Sequence, residues 1–137
     1  MVERLTRVAA RVLRWEHARG IRVELTLLDA AAMRRLNRRV TGRRGLTDVI
    51  AFTLPQPDGR VVGDVYICPS AAERYARRAG SGTPASIGEE LTRLAVHGTL
   101  HVLGYDHPEG ATRMRSAMWR RQERYVRRLT SGGARRR

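Results

Sequence analysis

Three of the four histidines fall within eleven residues, His97-Gly98-Thr99-Leu100-His101-Val102-Leu103-Gly104-Tyr105-Asp106-His107. Side chains four apart on a helix share one face, so His97 and His101 can grip a single metal ion. Gly104 stops that helix and lets the chain turn back, which brings His107 to the same point. Neutral imidazoles suit zinc, and the expectation is one Zn2+ ion per chain held by His97, His101 and His107. Three protein ligands leave a fourth position open for water, the pattern of a catalytic site and not of a closed structural one. The remaining histidine, His17, stands alone near the end of a first helix and reads as a solvated residue.

The helix that must carry this pair is predicted over residues 87–103, with Ser86 and Glu89 as a capping box and Gly104 as its stop. Upstream, Leu5, Val8, Ala9, Val12 and Leu13 recur at helical spacing and the helix ends by Gly20. Ile21, Val23, Leu25 and Leu27 alternate with Arg22, Glu24 and Thr26, which makes a strand with one wet face. Asp29 caps a short helix over residues 30–39, followed by the basic loop Thr41-Gly42-Arg43-Arg44-Gly45. Residues 47–53 and 60–68 read as strands joined through Pro55-Gln56-Pro57-Asp58-Gly59 as a hairpin. Pro69 opens a helix to Arg78, residues 79–84 form a Gly/Ser loop, and a last helix is expected over residues 110–129. This order predicts an α+β single domain with one small sheet and about five helices. Its boundaries are residues 1–130, with residues 131–137 as a flexible basic tail.

Composition sets the partner class. The chain has 137 residues, 42% of them hydrophobic, enough for one domain with a real core and incompatible with disorder throughout. All 27 of its basic residues are arginine, against 13 acidic ones, for a net charge of +14. Guanidinium binds phosphate bidentately and stacks on bases, so a small domain with this surplus points to nucleic acid. A compositional bias toward arginine accounts for the choice of cation but not for the excess. The longest stretch without a charged residue, residues 94–105, is too short to span a bilayer, so no membrane association is expected. Cys68 is the single cysteine, which excludes an intramolecular disulfide and favours a reducing compartment. Arg4, Arg7, Arg11 and Arg14 interrupt any apolar run near the start, so no secretory signal is expected and the cytoplasm is the predicted location.

The histidine spacing resembles the zinc helix of the metzincin proteases, H-E-x-x-H-x-x-G-x-x-H, glycine included. The catalytic glutamate of that motif is Gly98 here, which removes the protease general base. A closer resemblance is to the YbeY family, bacterial zinc-dependent endoribonucleases also called rRNA maturation factors. It rests on H-G-x-L-H-x-x-G-Y-D-H and on Leu36-Asn37, Thr47-Asp48-Val49-Ile50-Ala51-Phe52, Gly63-Asp64-Val65-Tyr66-Ile67, Met118-Trp119 and Gln122-Glu123. The resemblance implies a mixed sheet and one metal on the three histidines. It also implies single-strand-specific RNA cleavage in ribosomal RNA maturation (16S rRNA 3′-end processing), ribosome quality control, and the ribosome or small-subunit proteins as partners.

One departure bears on the RNA side. Family members carry an arginine five positions after the leucine of Leu36-Asn37, where this chain has Thr41. Arg39 and Arg43 flank the position, and either can reach the same phosphate, so both are candidate catalytic residues. Asp106, beside His107, is the third, as an orienting group or proton acceptor. For phosphodiester cleavage zinc supplies polarisation of a phosphoryl oxygen and water of lowered pKa. The base is then that water, Asp106, or no protein group, with the RNA 2′-hydroxyl as internal nucleophile. Asp48 and Asp64 lie in strands, where acidic residues are unfavourable unless they orient the cleft or satisfy backbone groups. Two alternatives stand beside the nuclease: a ribosome-associated RNA-binding assembly factor with a mainly structural zinc, and a metal-dependent hydrolase of another class.

Overall fold

The computed structural model describes residues 1–107 and 116–134. In chain order these form α1 (Val2–Trp15), β1 (Ile21–Leu27), α2 (Ala30–Thr41), β2 (Val49–Pro55), β3 (Val61–Ile67), α3 (Pro69–Arg78), α4 (Pro84–Val102) and α5 (Ala117–Ala134). The three strands make one mixed sheet in the order β1-β3-β2. β2 and β3 are the expected antiparallel hairpin, with Val49 opposite Ile67 and Pro55 opposite Val61. β1 runs parallel to β3, Ile21 opposite Val61 and Leu27 opposite Ile67, an arrangement that needs the crossover through α2. The domain is therefore α+β, with five helices among the described residues.

α4 is the axis of the fold. Eleven of its nineteen residues are buried, spread around the whole circumference from Glu90 to Val102. A helix apolar on all sides must be enclosed. α1, α3 and α5 pack around it, and the sheet covers its remaining side. α1 contributes Leu5, Val8, Ala9 and Val12, the stripe that its spacing predicts, and the sheet contributes Val23, Leu25, Val65 and Ile67. Burying a side chain of this size stabilises by about 1.5–3 kcal/mol relative to leaving it exposed. A smaller cluster of Met33, Ile50 and Cys68 fixes α2 on the other face of the sheet, so Cys68 is a packed small side chain.

Three helix boundaries shift, the first two for a local reason. α4 begins three residues before the expected start, because Thr83 and not Ser86 is the N-cap: its hydroxyl accepts from the Ser86 N–H at 3.1 Å, with Pro84 in the first turn. α2 runs on to Thr41, whose hydroxyl donates back to the Asn37 carbonyl at 2.7 Å. At the far end α5 continues to Ala134, so residues 131–134 extend a helix instead of opening a tail. The expected start of the last helix, at Gly110, lies outside the described residues.

Gly98 explains how closely α4 meets the sheet. A Cβ built there would lie 2.6 Å from Val65 Cγ1 and 3.3 Å from Val65 Cγ2. The position that holds the protease glutamate in metzincins is thus pressed against β3, one residue from His97, with no room for a side chain.

Candidate metal centre and basic cleft

His97 and His101 project from one face of α4 with their Nε2 atoms 3.0 Å apart. His107 joins them after the turn at Gly104, and one ring nitrogen from each of the three lies within 4.8 Å of the others. Ring centroids are 4.5 Å apart for His97–His101 and 5.1 Å for each of the other two pairs. His97 is buried and the other two are half-buried, so the cluster sits at the floor of an opening. The turn is a glycine C-cap with Gly104 at φ +98°. Its amide donates to the His101 carbonyl at 2.9 Å, while the Tyr105 amide donates to the Leu100 carbonyl at 3.0 Å. A left-handed residue is required there, which is why glycine occupies it.

The hydrogen bonds on the far side of the rings fix what the near side can do. His101 Nδ1 faces the Tyr105 carbonyl at 2.9 Å, and a carbonyl only accepts, so Nδ1 carries the proton. His97 Nδ1 donates to Gln122 Oε1 at 2.6 Å from α5. Both Nε2 atoms then point lone pairs at one another at 3.0 Å, a repulsive arrangement unless a cation sits between them. Two nitrogens bound at 2.0–2.1 Å to one tetrahedral ion are ~3.3 Å apart, so the donor set fits zinc. The three histidines form a group capable of holding a metal ion.

Two ion networks hold this frame. Arg93 on α4 forks onto Glu123, Nε to Oε2 and Nη2 to Oε1, each at 2.9 Å, and reaches Glu90 at 3.0 Å. Gln122 Nε2 donates to Glu123 Oε2 at 3.0 Å. Burial raises the Glu123 carboxyl, but hydrogen bonds from Arg93 and Gln122 and the Arg93 charge outweigh it and leave it below its ordinary value. Glu90 goes the other way: its burial outweighs Arg93, and its pKa rises. At the end of α1, Glu16 accepts from Tyr105 Oη at 2.6 Å and Arg121 Nη1 at 2.8 Å, and also from Tyr125 Oη. Burial opposes ionisation of Glu16, yet these donors together lower its pKa. This network ties the turn that carries the His101 acceptor to α1 and α5.

The three histidines open into a cleft of about 630 Å3, whose other walls include Asn37, Thr41, Arg43, Arg44, Thr47 and Asp48. A hollow of about 760 Å3 at the other end of the sheet, between Gly20 and Gln56, is larger, so volume does not locate the site. Of the candidate arginines, Arg43 lines the histidine cleft and Arg39 does not; Arg39 is exposed on the last turn of α2. Asp106 is exposed, and its carboxylate accepts from the His107 backbone amide at 2.8 Å, the habit of a turn residue. Thr41 does not replace the family arginine chemically. Its one hydroxyl proton is shared between the Asn37 carbonyl at 2.7 Å and Asn37 Oδ1 at 2.8 Å, and its oxygen accepts from the Arg43 amide at 3.1 Å, which shapes the loop that carries Arg43. Asp48 is the one carboxylate among the described residues lining the cleft. Asp64 lies away from it, opposite Glu24 in the sheet, and burial with the Glu24 charge raises its pKa. His17 is exposed at φ +54° and takes no part. Sequence reasoning gave no role to Gln122; only its helical spacing from Met118 and Tyr125 places it on the buried face of α5.

A small α+β domain whose central helix and following turn present three imidazoles to a basic cleft defines a class, that of open metal sites on a compact scaffold. Residues 1–130 match the family described as Endoribonuclease YbeY, and the chain belongs to that family. The Endoribonuclease YbeY of Mycolicibacterium smegmatis is 41% identical over 98 residues, 64% of this chain and 53% of that protein. Its counterpart in Mycobacterium tuberculosis is 39% identical over 98 residues, with the same coverage of 64% and 53%. The chain spans about half the length of the curated relatives it matches. Among solved structures, the solution structure of TM1509 from Thermotoga maritima superposes with a TM-score of 0.66 at 28% identity, covering 97% of this chain and 83% of that one.

Proposed function

We propose that the chain is a metal-dependent endoribonuclease that cuts single-stranded RNA in ribosomal RNA maturation, including the 3′ end of 16S rRNA, and in ribosome quality control. It acts in the cytoplasm, with the ribosome or small-subunit proteins as partners. The observation that carries this reading is the convergence of three imidazoles, with Nε2 of His97 and His101 3.0 Å apart, on an open cleft that also holds Arg43 and Arg44. A closed structural site would have no such opening. His97 and His101, through Nε2, and His107 would hold one zinc ion, which would supply Lewis-acid polarisation of the scissile phosphate and water of lowered pKa.

The remaining chemistry falls to the chain itself. Arg43 and Arg44 bind and orient the phosphodiester and offset charge that grows on its oxygens. Asp48, on the same wall, is better placed than Asp106 to accept a proton, because the Asp106 carboxylate is turned back onto its own backbone. The exposed arginines of α2, Arg34, Arg35, Arg38 and Arg39, extend the positive surface beyond the cleft, where they contact phosphates without base readout.

The test is cleavage of an end-labelled single-stranded RNA by purified protein beside His101→Ala prepared identically. Cutting by the wild type alone supports the reading. Equal cutting by both, or none by either, moves the chain to an RNA-binding assembly factor.

A further inference from the structure

An amide side chain can offer either its oxygen or its nitrogen, and the two choices would give His97 opposite protonation patterns. If Gln122 turned its oxygen toward His97, Nδ1 would be the donor and Nε2 would face the cluster with a lone pair. If it turned its nitrogen, Nδ1 would become the acceptor and Nε2 would carry the proton into the cluster, where a metal ligand is needed. Gln122 is buried, 2% exposed, so water does not arbitrate. What arbitrates is Glu123. Its Oε2 receives the Gln122 amide at 3.0 Å, and a carboxylate only accepts. A flipped Gln122 would set two oxygens against each other at that distance. Protonation of Glu123 could relieve the clash, but Arg93 occupies both carboxylate oxygens with bonds of 2.9 Å each. The fork is a half-buried ion pair between the two helices, α4 and α5, that also supply His97 and Gln122.

We propose that Arg93 and Glu123 are positioning residues for the metal site: they lock the Gln122 amide so that His97 holds its proton on Nδ1 and its lone pair on Nε2. The relay runs Arg93, Glu123, Gln122, His97, and none of its first three members touches the metal or the RNA. It rests on the reading of the cluster as a metal site, but the proton position on His97 is a property of the metal-free protein and is measured without loading or activity. The orientation of the amide, not the mere presence of a buried polar group, is what the relay supplies.

The experiment is a long-range proton–nitrogen correlation spectrum of the histidine rings in nitrogen-15-labelled, metal-stripped protein at mildly alkaline pH, with zinc affinity from competition against a chromophoric chelator. The wild type should show His97 protonated on Nδ1. The variant Arg93→Met/Glu123→Met, made in a Glu90→Gln background because Arg93 also serves that buried carboxylate, removes the charges together and leaves none orphaned, a change that such pairs commonly tolerate. It should lose the single Nδ1–H form and bind zinc about 10- to 100-fold more weakly. Adding Gln122→Glu to that variant restores an obligatory acceptor, and with it the Nδ1–H form and wild-type affinity. A merely structural role for the pair would not be rescued this way. A wild-type His97 protonated on Nε2 overturns the inference, as does a folded Met/Met variant with the wild-type spectrum and affinity, or a rescue that fails. A wild type with Nδ1–H that binds no zinc supports the relay and instead removes the metal reading.

Discussion

The approach of α4 to the sheet at Gly98 makes a prediction whose sign depends on background. In the wild type, Gly98→Ala places a methyl 2.6 Å from Val65 Cγ1, about 1 Å inside normal contact, with Val49 Cγ2 closing a third side at 3.5 Å. Val65 is fully buried and belongs to the central strand, so neither partner can give way cheaply. Overpacking of this kind costs about 1–3 kcal/mol. Replacing a mid-helix glycine by alanine returns about 1 kcal/mol of propensity, which leaves a net loss of about 1 kcal/mol. In a Val65→Ala background the two offending methyls are gone. That single change should cost about 2–3 kcal/mol by transfer and cavity terms. There, Gly98→Ala refills part of the space and keeps its helical gain, so it should stabilise by about 1–2 kcal/mol. The coupling is then about 2–3 kcal/mol, within the range for touching residues. Urea unfolding of the four metal-stripped proteins, followed by far-ultraviolet circular dichroism, measures it. Equal effects of Gly98→Ala in both backgrounds would refute the packing argument, and so would stabilisation of the wild type.

Other consequences are as direct. Because donors hold the Glu16 pKa below its ordinary 4.5, the folded state gains stability from this group above that value and loses it as pH falls toward the folded pKa; Glu16→Gln should flatten the acid limb of a stability profile below about pH 4.5, and an unchanged limb would count against the Glu16 network. Arg43→Ala should weaken single-stranded RNA binding and lower its salt slope by about one ion, while Arg39→Ala, outside the cleft, should do less; the reverse order in fluorescence anisotropy would displace the proposed phosphate path. Thr83→Ala should cost about 1 kcal/mol through the lost cap, whereas Ser86→Ala should cost less of the helix start, measured by thermal unfolding.

Much of this arrangement was open to reading because its signals are local. The spacing of His97 and His101 and the stop at Gly104 lie within one helix and its cap, and β1 and the hairpin follow from alternation and turn residues. The capping assignment failed because Thr83 and Ser86 both suit the role, and Pro84 decides for the earlier one. The parallel pairing of β1 with β3 is invisible in either strand alone, since it depends on where α2 carries the chain. The supports of the site are the least legible. Gln122 is 25 residues from His97, and Glu16 is 89 residues from Tyr105. Neither spacing has a periodic signature. That Arg43 and not Arg39 lines the cleft follows from two added residues of α2, through Thr41, after which the loop runs along the cleft.

The central claim is that one metal ion on the three histidines makes this cleft cut RNA. Its most direct test is stepwise return of zinc to metal-stripped protein, with bound metal and the cleavage rate of a labelled single-stranded RNA measured on the same samples. The rate should rise in proportion to bound zinc, level off at one ion per chain, and stay at background in His101→Ala at every zinc level. A rate indifferent to bound zinc, or equal in the variant, would contradict the claim.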